Sequence, residues 1–164
     1  MMGQREMVNQ KLIFHVVIFE KDLQGFLVGL EDWRLVACIR KWCRRVGVHI
    51  LAAGAGSNHV HLLMEQTSRL SLQDWMGKLI GRIGNWCETM QQANIAETLH
   101  LDFGMFTVSY ASVDKVTRFI ETQADHHLKV SFEEEWVSLL DKHHVPKERL
   151  GSEIPLAGLP CSGV

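Results

Sequence analysis

His59 and His61 stand one residue apart in GSNHVHLLME (Gly56–Glu65), directly after a glycine-rich turn. On a strand, alternate side chains share a face, so His59, His61 and Leu63 point one way and Val60, Leu62 and Met64 the other. Two imidazoles at that spacing are near enough to hold one divalent ion jointly. The same pattern also occurs as surface histidines on a half-exposed strand, so a third ligand must come from elsewhere. Phe119, Gln123 and His127 are spaced i, i+4, i+8 and form one stripe on a helix, beside a core-facing line of Val113, Val116 and Ile120. Gln123 is unusual so near an apolar face, because a buried amide needs partners for its oxygen and its NH2. It could instead reach solvent or bond a backbone group. His126 and His127 also fit a plainer role, as polar residues at a helix C-terminus, where a cation is favoured.

The elements that carry these residues can be read from periodicity. LIFHVVIFE (Leu12–Glu20) is rich in β-branched and aromatic residues and reads as a buried strand. In GLEDWRLVACIRKWCRRVG, Leu35, Val36, Ile39, Trp42 and Cys43 recur at helical spacing, and Gly47 closes the helix. VHILAAGA and HVHLLME are two strands joined by GAGSN, a hairpin signal. SLQDWMGKLIGRIGNWCETMQQ is a helix that Ser71 can cap, with Asp74 three residues on. FGMFTVS (Phe103–Ser109) is a further strand, and SVDKVTRFIETQADHHLK a helix capped by Ser112 with Asp114 in its first turn. A Ser-x-x-Glu capping box, Ser131 to Glu134, opens the last helix, which Pro146 stops. Interspersed strands and helices with a hairpin imply an α+β fold: an antiparallel sheet with helices packed on it. Residues 1–150 read as one domain and residues 151–164 as a flexible tail.

The chain has 164 residues, 46% hydrophobic, enough for one well-buried core. Its apolar runs are too short for a membrane span and the N-terminus is polar, so a cytoplasmic protein without a signal peptide is expected. Four cysteines with no CxxC spacing read as reduced thiols. The net charge of −2 does not advertise nucleic acid; only Arg40, Lys41, Arg44 and Arg45 cluster, as a solvated helix face or a phosphate-tracking patch.

Together these pieces resemble a known family. NHVHLLME is similar to the DHVHLL strand of the single-stranded-DNA transposases of the smallest bacterial insertion sequences, the one-tyrosine members of the HUH nuclease superfamily. The likeness continues through LSLQDWMGKLIGRIGNW and FGMFTVSYASVDKVTRFIETQADHHLKVSFEEEWVSLLDKH, from about Leu12 to about Leu150. Many relatives there read Phe-Ser-Val-Ser, then Tyr-Ile-x-x-Gln-x-x-His-His, then Ser-Phe-x-x-Glu. The resemblance implies a ferredoxin-like, RRM-like HUH fold, a homodimer that can share sites between subunits, and hairpin-bearing single-stranded DNA as partner. It also implies a divalent metal, Mg2+ or Mn2+, on His59, His61 and Gln123. A tyrosine one helical turn before the glutamine attacks the scissile phosphate, giving a 5′-phosphotyrosine and a free 3′-OH.

That tyrosine position is Phe119, which has the ring but no oxygen. The only tyrosine, Tyr110, lies nine residues earlier, about 13 Å along a helix and too far for a swap of roles. The covalent reaction is therefore not expected of this chain. Three explanations remain: a deliberate substitution, a natural loss that keeps DNA binding, or cutting by a metal-activated water. Rival readings are a structured-DNA-binding module that does not cut, and an unrelated metallo-hydrolase; the helix-rich pattern argues against a cupin and the length against an amidohydrolase barrel.

Overall fold

The computed structural model describes residues 11–20, 26–27, 32–66, 71–91 and 99–146. The tail 151–164 lies outside the described residues. In chain order the elements are β1 (Leu12–Glu20), α1 (Asp32–Arg45), β2 (Val48–Ala55), β3 (His59–Gln66), α2 (Leu72–Gln91), β4 (Leu101–Thr107), α3 (Val113–Glu121), α4 (Gln123–His126) and α5 (Phe132–Lys142). The first six make the β-α-β-β-α-β order of ferredoxin-like folds, and the four-stranded sheet has the order β2-β3-β1-β4. All three pairings are antiparallel. The expected α+β architecture is therefore what the chain adopts.

Every strand element expected from sequence is present, and the ends follow local chemistry. Gly47 takes φ 75° after α1, the left-handed conformation that a closing glycine supplies. Ser71 Oγ accepts from the Asp74 amide at 3.1 Å, and Ser131 and Glu134 form a reciprocal capping box on α5. One expectation fails. The segment from Ser112 to Lys129 is not a continuous helix, and Ser112 makes no side-chain cap. Instead Tyr110–Ser112 form a 3-10 turn, with Ser109 Oγ paired to Ser112 Oγ at 2.9 Å. The helix then breaks at Thr122 (φ −103°, ψ 20°). The Thr122 hydroxyl donates back to the Arg118 carbonyl at 2.8 Å, which bends helices by competing with the backbone ladder.

Alternation along the strands sorts the core into layers. Val16, Ile18, Val60, Leu62 and Met64 face α1 and α2, meeting Leu35, Ile39, Trp75, Met76 and Ile83. The opposite face carries two smaller clusters. Val17, Phe19 and Phe106 pack against Phe132, Trp136, Leu139 and Leu140 of α5. Ile13, Ala52 and Leu63 pack against Ile120 of α3. Between those two clusters runs a seam, and there the sheet presents His15, His59 and His61.

Candidate functional site

His15, His59 and His61 occupy the α3/α5 face of the two central strands, where Val17 pairs with His61 and Phe19 with His59. All three are buried, at 3%, 2% and 0% exposure. That disposes of the alternative in which the pair sits on a half-exposed strand. The hairpin turn allows this because Gly56, whose amide bonds the His59 carbonyl at 2.9 Å, lacks a side chain. A Cβ there would lie 2.6 Å from His59 Cε1. Gly54 plays the matching part on β2: a Cβ would lie 2.7 Å from the Ile120 carbonyl oxygen, so its absence lets α3 approach the sheet.

Four further side chains close over the histidines. Gln123, at the start of α4, is 4% exposed and places Oε1 3.5 Å from His59 Nε2. Its Nε2 has no hydrogen-bond partner among the described residues. The His127 Nε2 lies 2.9 Å from His59 Nε2. From α5, Glu135, 4% exposed, brings Oε1 to 2.9 Å from His61 Nε2. Its Oε2 lies 3.1 Å from His126 Nε2 and 3.4 Å from His127 Nε2. Neither Glu135 oxygen meets a donor in hydrogen-bond alignment, and neither does His61 Nε2. The short His61–Glu135 contact is no ion pair either, because burial, and then the nearby His127 and His126, push the His61 pKa down to about 3. His59 is lowered to about 3 by burial and then by His61, and His15 to about 3 by burial and then by His61. Neutral imidazole is the form that ligates metals.

Donor atoms of His59, His61, His127 and Glu135 all lie within 4.8 Å of one another. Buried, unaligned lone pairs converging from three elements are what a cation site looks like without its cation, so the residues present fit a metal ion. Two cavities flank the cluster. One of about 330 Å3 is lined by His15, Phe119, His126 and Glu135, with Lys115 and Lys142 also in its wall. The other, about 250 Å3, is lined by Gly56, Ser57, Gln123 and His127. A larger cavity of about 430 Å3 between α1 and α2 contains none of these residues.

A family model described as "Transposase IS200 like" matches residues 8–123. The chain belongs to that family. It is 23% identical over 154 residues, 92% of its length and 89% of theirs, to the transposases for insertion sequence element IS200 of Salmonella typhimurium and Salmonella typhi. A crystal structure of a candidate transposase from Deinococcus radiodurans R1 aligns with a TM-score of 0.51, over 74% of this chain and 98% of that one, at 19% identity.

The positions of Phe119 and Tyr110 bear on the nucleophile expected from the sequence resemblance. The Phe119 ring stands edge-on to His61 with centroids 5.8 Å apart, and 5.2 Å from His126. Tyr110 is 75% exposed, with the Lys11 ammonium 5.0 Å over its ring. On α1, Lys41, Arg44 and Arg45 are exposed, whereas Arg40 is half-buried and donates to the Ile50 carbonyl at 3.0 Å. Sequence reasoning placed His127 in the candidate stripe without choosing it as a ligand and gave no role to His15 or Glu135, although His127 and Glu135 fall inside the motifs that carried the resemblance. Helix phase points to Glu135: Phe132, Glu135, Trp136, Leu139 and Leu140 are the buried positions of α5, at i, i+3, i+4, i+7, i+8.

Proposed function

We propose that this transposase-family protein binds hairpin-bearing single-stranded DNA and a divalent cation held by His59, His61 and Gln123, with Phe119 in the nucleophile's seat. The observation that carries this reading is the ring of Phe119 set edge-on beside His61, on the wall of a cavity that opens beside the cation donors. A bound cation would withdraw charge from a phosphate oxygen and orient the phosphorus for in-line attack. Lys115 and Lys142 in the same wall supply positive charge for a strand entering there. Exposed Lys41, Arg44 and Arg45 on α1, which packs on the other face of the sheet, offer a separate set of phosphate contacts, with Arg40 more a structural tether than a DNA contact. A homodimer working on DNA in the cytoplasm completes the reading.

Phe119 has no oxygen with which to displace the 3′-oxygen, so the chain as it stands is a binder rather than a strand transferase. In a tyrosine form, the phenolic oxygen would form the new P–O bond while the 3′-OH leaves; the phosphodiester energy is conserved and no nucleotide triphosphate is needed. The test is Phe119→Tyr with end-labelled hairpin DNA and Mg2+ or Mn2+. A covalent protein–DNA band on a denaturing gel, absent with the parent chain and with chelator, is the expected result. A variant that binds hairpin and cation yet gives no adduct overturns the assignment. Hairpin affinity indifferent to chelator and to His59→Ala would favour the second reading, a DNA-binding module that grips structure without a metal.

A further inference from the structure

His127 and Glu135 change which ion the site should hold. The Val130 carbonyl can only accept, so the His127 Nδ1 facing it at 2.9 Å carries a proton, which leaves Nε2 as the nitrogen available to a metal. His59 Nδ1 lies 2.8 Å from Asn58 Oδ1, which likewise leaves its Nε2 as a lone pair. These two Nε2 atoms face each other at 2.9 Å, the placement of two imidazoles aimed at one ion. His61 is oriented in the same way, its Nδ1 held 2.9 Å from His15 Nε2 and its Nε2 turned to Glu135. Backs of ligand histidines fixed by a carbonyl, an amide or another ring are the usual support that turns an imidazole toward a metal. Adjacent ligands around an ion with bonds of about 2.0–2.1 Å stand roughly 3.0–3.4 Å apart. Three of the contacts, His59–His127, His61–Glu135 and His127–Glu135, run from 2.9 to 3.4 Å, and the whole donor set lies within 4.8 Å.

We infer that His127 and Glu135 are ligands alongside His59 and His61, and that this three-imidazole, one-carboxylate set selects a borderline transition ion (Co2+ or Zn2+) over Mg2+. Mg2+ demands oxygen ligands and surrenders its waters reluctantly. Three nitrogens and one carboxylate suit the borderline ions instead. Gln123 Oε1, 3.5 Å from His59 Nε2, is left at the margin of the set, where it can steady His59 or an incoming phosphate. His15 is a positioning residue, its Nε2 holding His61 Nδ1 at 2.9 Å. This inference rests on the metal site of the proposed function and replaces its list of donors.

The test is a titration of the purified full chain with Co2+, read from its visible d–d absorption and by competition with Zn2+, Mn2+ and Mg2+. One Co2+ per chain with the intense bands of low coordination is expected, displaced by Zn2+ and untouched by a hundredfold excess of Mg2+. His127→Ala and Glu135→Gln should each weaken Co2+ by on the order of 100-fold and shift its spectrum. Gln123→Ala should leave the spectrum in place. Should the two variants bind Co2+ like the parent while His61→Ala does not, the present inference is wrong and the His59, His61 and Gln123 site survives. If the parent binds no Co2+ at all, both fall. Glu135 is deeply buried, so circular dichroism accompanies its variant; His127, 20% exposed, tolerates truncation and keeps the test open.

Discussion

Gly56→Ala is the most demanding test of how the site is built. Gly56 is not in the left-handed region, so alanine costs no backbone strain and, from chain entropy alone, should stabilise by about 0.4–1 kcal/mol. The structure reverses that sign. The added Cβ would stand 2.6 Å from His59 Cε1, 3.2 Å from Nδ1 and 3.3 Å from Nε2. Relief needs a ring displacement of about 1 Å, since carbon atoms pack comfortably near 3.5–4.0 Å. His59 has nowhere to go: it is stacked on Phe132 at 4.3 Å and edge-on to His127 at 4.6 Å and His61 at 4.8 Å. Overpacking of this kind costs about 1–3 kcal/mol. It also moves a proposed ligand far beyond the roughly 0.2 Å tolerance of a metal bond. Urea denaturation of the metal-free protein should therefore show a midpoint lower by roughly 1 M with an unchanged slope. Co2+ affinity should fall by on the order of 100-fold. A variant as stable as the parent, with parental affinity, would show that His59 is not clamped as described.

Two other outcomes follow from buried titratable groups. His15, His59 and His61 are each lowered from 6.5 to about 3, so below pH 6.5 the unfolded chain takes up protons that the folded chain refuses. The metal-free protein should thus be most stable above pH 6.5 and lose stability steadily toward pH 3; a melting temperature unchanged between pH 7.5 and pH 5 would contradict this. Burial pushes Cys43 up to about 11 and Cys87 to about 12, leaving roughly a thousandth or less as thiolate at pH 8. Peptide mapping after brief iodoacetamide treatment of the folded protein should find half-buried Cys38 labelled ahead of both, and equal labelling would mean those helices open readily.

Local pattern was enough for the strands, the capping box and the histidine pair, because each depends on neighbours a few residues apart. Period-two alternation assigned Val60, Leu62 and Met64 to one face and the histidines to the other, as the core clusters bear out. What escaped depended on distance along the chain. His15 meets His61 across 46 residues and His127 meets His59 across 68, and no periodicity encodes such meetings. Glu135 is one of three consecutive glutamates, and only the phase of α5 turns it inward while Glu133 and Glu134 stay exposed. The break at Thr122 was hidden too, since a threonine fits a helix until its hydroxyl finds the carbonyl four residues back.

The short α4 gives the donor cluster two very different rates of opening. His59 and His61 lie on β3, laddered on both sides by β2 and β1, so their amides should exchange with solvent only when the whole sheet comes apart. Gln123 and His127 hang on a single helical turn that begins after the bend and ends at His126. If that turn opens locally, no strand ladder has to open with it. An ion held here would therefore escape by the helical side, with a dwell time set by residues 122–130 and almost deaf to mutations that merely weaken the sheet.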